Sequence, residues 1–144
     1  MRVYLDNCCF NRPFDDQSQI RVRLESEAKL KIQEEIRSRR LRLTWSYILD
    51  YENSKNPYQE RKERIKSWNR YEEGDIQESP ELLEAANLLK GKGFQKIDCL
   101  HIAGAILSKC EYFLTTDDGI LKRAKVVDNI KIDDPIGFIK EVLS

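Results

Sequence analysis

Four short apolar runs recur along the chain, and the stretches between them carry helical periodicity. This alternation limits the fold more than any other feature. Arg2 to Leu5 reads as a strand that ends at Asp6. Leu41 to Trp45 alternates apolar and polar side chains, as a half-buried strand does. Tyr112 to Leu114 gives a third strand, and Ile130 to Ile132 a fourth. Ile20, Leu24, Ala28, Leu30, Ile32 and Ile36 fall near a 3.6-residue spacing, predicting a helix from Ser18 to about Arg39. Phe10 to Gln17, rich in turn formers, predicts a loop before it. Tyr47 to Tyr51 suggests a short helix stopped near Asn56-Pro57, and Pro57 opens a charged helix running to about Glu72, broken at Gly74. Ser79-Pro80 starts a helix that runs to Lys90 and ends at Gly91 or Gly93. Ile97 to Lys109 forms another helix, Ile120 to Lys125 a short one, and Pro135 begins the last.

Strands alternating with helices imply a mostly parallel sheet with helices on both faces. The expected architecture is a three-layer α/β/α sandwich around a central sheet of four or five strands. A chain of 144 residues without repeat, linker or low-complexity segment forms one such domain. No run approaches the ~20 apolar residues of a membrane span. The N-terminal stretch carries Asp6 where a signal peptide is apolar, so a cytoplasmic protein without membrane attachment is expected. Lys plus Arg and Asp plus Glu balance at 25 each, giving no support to broad nucleic-acid binding. Cys8, Cys9, Cys99 and Cys110 lack zinc-knuckle spacing and stand in apolar surroundings, as buried reduced thiols do.

Ligands of open parallel sheets bind beyond the carboxyl ends of the strands. There the chain sends its acids. Strand one ends in Asp6. The strand at Tyr112 leads into Thr115-Thr116-Asp117-Asp118, and the helix preceding it opens with Asp98. The strand at Leu41 leads to Asp50 and Glu52. Each acid has a plain structural reading: Asp6 accepting loop amides, Asp98 and Asp117 at helix starts, Glu52 facing water. Together they would repel and raise one another's pKa, so a cation is expected among them. Oxygen ligands favour a hard ion, Mg²⁺ or Mn²⁺. His101, three residues after Asp98, is expected to be buried and hydrogen-bonded to a carbonyl or to an acid near the metal.

The segments "VYLDNCCF", "WSYILDYEN", "KIDCLHIAGAI" and "FLTTDDGIL" resemble, in order and spacing, the motifs of PIN-domain nucleases. The resemblance spans Arg2 to about Phe138 and is nearest to the VapC-like toxin nucleases of bacterial and archaeal toxin–antitoxin pairs. It implies a metal-dependent ribonuclease. Asp6, Glu52, Asp98 and Asp117 then correspond to the metal-binding acids, Thr115 to the threonine before the last, and Asp118 to a fifth acid or a helix cap. The family often has Ser or Asn two residues after its first aspartate; here Cys8 stands there, and Asn7 beside it is the substitute. Asp50 and Glu52 lie two apart on a helix and point in opposite directions, so one of them faces the metal, and Glu52 is favoured. Arg12 follows Asp6 closely enough to reach a phosphate, and with Asn7 is a candidate for substrate binding. Basic runs at Arg37 to Arg42 and Arg61 to Lys66 are solvated faces or RNA contacts.

The family's partners imply an RNA substrate, a small antitoxin protein and a homodimer, with Trp68 and Tyr71 placed at an interface or in the chain's own core. Rival readings lack their residues. A haloacid-dehalogenase-type phosphatase needs a second aspartate where Cys8 stands, and a receiver domain needs its acid pair early. No G-x-x-x-x-G-K loop is present. A catalytically inactive PIN-like scaffold and a solitary RNA-processing nuclease remain as alternatives.

Overall fold

The computed structural model describes residues 1–143. Five strands form one sheet: β1 (Arg2–Leu5), β2 (Arg42–Ser46), β3 (Glu72–Ile76), β4 (Tyr112–Leu114) and β5 (Lys131–Asp133). Their spatial order is β3-β2-β1-β4-β5, and each adjacent pair is parallel. The helices are α1 (Asn7–Asn11), α2 (Ile20–Arg37), α3 (Tyr47–Ser54), α4 (Gln59–Lys66), α5 (Pro80–Lys90), α6 (Lys96–Leu107), α7 (Asp118–Leu121) and α8 (Pro135–Phe138). They complete the three-layer α/β/α arrangement, with α2 packed on α8, and α5 on α6. The core strands read as the parallel pattern requires: Val3, Tyr4, Leu5, Leu43, Trp45, Phe113 and Leu114 are all fully buried.

Two segments differ from expectation. The charged helix after Pro57 stops at Lys66, continues as a 3₁₀ turn over Ser67–Tyr71, and gives way to β3. Trp68 is the cause: it turns into the core, 8% exposed, and its ring packs on Tyr71 at 5.1 Å. The chain is thereby delivered to the open edge of β2. β3 carries the polar sequence EEGDI, and its register on β2 shifts between Leu43 and Trp45, as suits an edge strand. The loop expected after Phe10 is partly helical, since α1 begins directly after Asp6 and runs to Asn11, and a 3₁₀ turn covers Arg12–Phe14. After α5 the chain turns at Gly93, whose φ of +98° admits glycine readily. Among the described residues no helix is long and apolar enough to cross a membrane.

Strand order determines where a ligand can bind. From β1 the chain moves outward to β2 and β3, then returns to place β4 on the other side of β1. The connections diverge between β1 and β4, which opens a crevice at their carboxyl ends. Asp6 N–H donates to Leu114 O at 2.9 Å across it.

Candidate metal centre

Asp6 leaves β1 into this crevice and caps α1, its Oδ1 accepting the Asn7 N–H at 2.8 Å. Its Oδ2 accepts from Thr115 Oγ1 at 2.8 Å, and Thr115 Oγ1 in turn accepts the Asp117 N–H at 3.1 Å. The residue following β4 thus fixes the acid following β1. Cys8 joins them: its Sγ donates to Asp6 Oδ2 at 3.5 Å and accepts the Thr116 N–H at 3.3 Å. The Cys8 thiol itself thus bonds the carboxylate, whereas Asn7, expected as the substitute, gives Asp6 its backbone N–H.

Glu52 arrives from α3, a helix capped by Ser46 at the end of β2, where Ser46 Oγ accepts the Leu49 N–H at 3.1 Å. Its Oε1 is hydrogen-bonded to His101 Nε2, which also lies 3.8 Å from Asp6 Oδ1. Asp50 turns the other way and accepts the Trp45 indole N–H at 2.9 Å. Asp6, Glu52 and His101 can each direct one donor atom to a common point, all three atoms lying within 4.8 Å of one another.

Asp98 occupies the first turn of α6, and His101 follows it one turn later. A helix that leads into a parallel strand runs antiparallel to it, so its start lies at the strands' carboxyl end. Burial, then the charges of Asp6 and Asp117, hold the Asp98 carboxyl up at about 6. Burial also raises Asp6, against the opposing pull of His101 and the Thr115 hydroxyl. His101 is buried, which disfavours its charged form, but the hydrogen bond to Glu52 and the charge of Asp6 outweigh this and raise its pKa. The close group is Asp6, Glu52 and His101, while Asp98 and Asp117 stand near enough for their charges to bear on it. Asp117 caps α7, with Oδ1 accepting from Gly119 N at 2.7 Å and Ile120 N at 3.3 Å. The cap is Asp117, not the alternative Asp118.

Asp118 and Arg12 are engaged elsewhere. Both Asp118 oxygens accept from Arg21, at 2.8 and 3.0 Å. Arg12 is paired with Glu25 at 3.0 Å and Asp15 at 3.3 Å, and Arg21 also reaches Glu25 at 3.3 Å. Asn7 lies at the start of α1 with its Oδ1 shielded from solvent and without a hydrogen-bond partner among the described residues. Several arginines of the basic runs pair with acids: Arg39 with Glu73, Arg40 with Glu35, Arg61 with Asp15 and Arg64 with Glu60.

Comparison with solved structures bears on the fold. The structure of VapBC2 from Rickettsia felis bound to a DNA fragment from their promoter superposes with a TM-score of 0.60, at 16% identity. The match covers 93% of this chain and 98% of that one. The chain has a VapC-like PIN fold. No family profile matches the sequence, and no curated protein matches it. The likeness therefore lies in the architecture, and in this fold Asp6, Glu52 and His101 meet beyond the carboxyl end of β1.

Two participants were not singled out in the sequence. Tyr4 OH lies 2.5 Å from His101 Nδ1 and 2.6 Å from Ser46 Oγ, wholly buried. The available signal was parity: side chains two apart on a strand share a face, which sets Tyr4 on the side of Asp6. Ser46 carried a signal as a helix cap but none for its second contact.

Proposed function

We propose that the chain is a cytoplasmic Mg²⁺- or Mn²⁺-dependent endoribonuclease, the toxin of a toxin–antitoxin pair, hydrolysing RNA phosphodiesters at the crevice between β1 and β4. The observation that supports this is the meeting of donor atoms of Asp6, Glu52 and His101 within 4.8 Å at the switch point of the sheet, to which we assign Asp98 and Asp117 as further acids. RNA as substrate, a small antitoxin as partner and a homodimer rest on the motif resemblance, with the VapBC2 likeness as support for the fold beneath them.

The residues present fit a hard divalent cation. Their donors are carboxylate oxygens, and Asp98, raised first by burial and then by the charges of Asp6 and Asp117, is a group whose charged form a cation would favour. Asp6, Asp98 and Asp117 would hold the ion, with Glu52 as a further ligand or as the acceptor that orients the attacking water. An Mg²⁺ or Mn²⁺ held there would supply Lewis acidity toward the phosphate and the attacking water. Thr115 and Cys8 keep the Asp6 carboxylate from rotating, and His101 does the same for Glu52. Neither a serine nor a cysteine is paired with His101 among the described hydrogen bonds, so a covalent nucleophile receives no support.

Cleavage of single-stranded RNA by the purified chain tests the proposal. Cutting is expected with Mn²⁺ or Mg²⁺ and is expected to stop on addition of EDTA. Undiminished cutting in EDTA refutes the metal mechanism. No cutting of any RNA leaves a PIN-like scaffold in its place.

A further inference from the structure

Asp117 has little structure of its own to stand on. It caps α7, a single turn over Asp118–Leu121, too short to hold a direction by itself. Its Oδ1 is taken up by the cap, accepting from Gly119 N and Ile120 N. The chain around it is gripped from outside by one side chain of α2. We propose that Arg21, aimed by the buried Glu25, is a positioning residue for Asp117: it holds the chain on both sides of that acid and so fixes where the carboxylate stands. The consequence for a cation rests on the reading of Asp117 as a ligand; the grip itself rests on the hydrogen bonds alone.

Every nitrogen of the Arg21 guanidinium is engaged. Nε donates to Glu25 Oε2 at 3.3 Å. Nη1 donates to Asp118 Oδ2 at 3.0 Å and Nη2 to Asp118 Oδ1 at 2.8 Å, a two-pronged contact. Nη2 also donates to the Thr116 carbonyl at 3.1 Å. Thr116 precedes Asp117 and Asp118 follows it, so one planar group reaches both neighbours. The Thr116 peptide is held from the other side as well, its N–H donating to Cys8 Sγ at 3.3 Å. Arg21 thus closes, from α2, a frame whose inner side is Cys8.

Glu25 is what aims the arginine. It lies one turn along α2 from Arg21 and is 2% exposed, and its other oxygen accepts from Arg12 Nε at 3.0 Å. A buried carboxylate is costly unless paired, so Glu25 keeps both guanidinium groups in place. Arg12, expected to reach a phosphate, serves instead as the second partner of Glu25. This sets the contact apart from an ordinary exposed ion pair, which adds little because two free side chains must be ordered to make it. Arg21 and Asp118 are both exposed, but Arg21 is already ordered by Glu25. A lysine in place of Arg21 carries the same charge on one nitrogen, which cannot serve Glu25, Thr116 and both Asp118 oxygens together. Arg21→Lys leaves Glu25 paired with Arg12, so the fold is expected to persist.

Two readouts test the proposal. In metal-free protein, amide hydrogen exchange by NMR is expected to speed severalfold at Gly119 and Ile120 in Arg21→Lys, while Leu5 and Phe113 in the central strands keep their wild-type rates. Mn²⁺ affinity by calorimetry is expected to fall about 10-fold, as loss of an outer partner of a metal site typically causes. Asp118→Asn, an exposed change that leaves Glu25 paired, is expected to shift both readouts in the same direction; it decides the matter if Arg21→Lys does not fold. The double variant is expected to bind Mn²⁺ no more weakly than Arg21→Lys alone, because both changes act through one contact. Wild-type exchange at Gly119 and Ile120 in the folded variants, or wild-type Mn²⁺ affinity despite faster exchange, overturns the proposal. Fully additive losses in the double variant also overturn it, by making Asp118 a ligand in its own right. If the wild type binds no divalent ion while exchange at Gly119 and Ile120 quickens as expected, the metal-centre reading fails and the grip of Arg21 on the Asp117 segment is supported.

Discussion

Thr115 Oγ1 donates a 2.8 Å hydrogen bond to Asp6 Oδ2, joining the ends of two strands that lie 109 residues apart in sequence. Both groups are buried, so the bond sets the direction of the carboxylate as well as stabilising it. Thr115→Val keeps the shape and removes the donor. It is expected to destabilise the fold by about 1–3 kcal/mol, the usual effect of leaving a buried polar group unsatisfied. Mn²⁺ affinity is expected to fall roughly 10-fold. Chemical denaturation and calorimetry measure the two effects. Unchanged affinity would mean that Asp6 is held well enough by Cys8 and the Asn7 amide.

Glu52 and Asp50 sit on opposite sides of α3, one on His101 and the other on the Trp45 indole. Glu52→Gln is expected to lose most RNA cleavage, on the order of 100-fold or more if the carboxylate is a ligand or orients water. Asp50→Asn is expected to cut at the wild-type rate, with a stability change of about 1 kcal/mol or less, since the amide oxygen still accepts from the indole. Rates and melts of the two variants side by side provide the check, and reversal of their order would place the wrong face of α3 in the site.

Asp98 gives a pH dependence whose sign is fixed. Its carboxyl, raised by burial and by Asp6 and Asp117, titrates near 6 in the folded chain and near the ordinary aspartate value when unfolded. The folded state therefore holds the proton more tightly across that window. Its stabilising contribution is complete below the unfolded pKa and is lost as pH rises through about 6. A tenfold difference in proton affinity corresponds to roughly 1.4 kcal/mol, and partial exposure screens the total to about 1 kcal/mol. Without metal, Asp98→Asn should melt higher than wild type at pH 8 and show little difference at pH 4. It should also lose the stabilisation that Mn²⁺ confers on the wild type by mass action. A variant that melts lower at pH 8 yet still responds to Mn²⁺ would make Asp98 a structural helix-start residue.

Lys29 carries a second pH signature, in the core beside Phe10 and Trp68. Its amine lies 4.9 Å from the Phe10 ring and 5.3 Å from the Trp68 ring. In the amide orientation that satisfies both neighbours, Gln33 Oε1 accepts from Lys29 Nζ and from Trp68 Nε1. Burial pushes this amine down to about 7, against a rise due to Cys9 and with a further lowering by Arg37. The unfolded chain keeps the proton up to roughly 10.4. Folding stability contributed by this group therefore grows as pH rises from about 7 toward 10 and is lost as pH falls back through that window. Lys29→Met should remove this slope and raise stability at pH 7 by on the order of 2 kcal/mol, since replacing a buried ion with an apolar side chain often does so. Urea denaturation of both proteins between pH 7 and pH 10 decides it; parallel curves would show that Lys29 stays charged in the fold.

Much of the architecture was written locally. Apolar runs of strand length, separated by helical periodicity, require a parallel sheet because only that pairing lets each helix return the chain to the same end. Acids standing directly after such runs are then carried to the sheet's carboxyl edge. β3 escaped detection because of its five residues, Glu72 to Ile76, three are acidic and one is a glycine, leaving only Ile76 apolar. Its strand state comes from the free edge of β2, not from its own side chains. The α4 boundary escaped for a related reason: the burial of Trp68, a tertiary event, ends the helix at Lys66.

By itself the sequence determined the α/β class, the carboxylates that follow β1 and β4, and the opposition of Asp50 and Glu52 on one helix. Those depend on spacing along the chain, which local geometry converts directly into direction. Only the tertiary structure decided which partners these groups meet. Tyr4 finds Ser46 42 residues away and His101 97 residues away, and His101 finds Glu52 49 residues away. Arg21 takes Asp118 from 97 residues away, while Glu25, 13 residues on, takes Arg12. Such pairings follow from packing through space, where a difference of an ångström or two selects one acceptor over another, and no spacing along the chain encodes them.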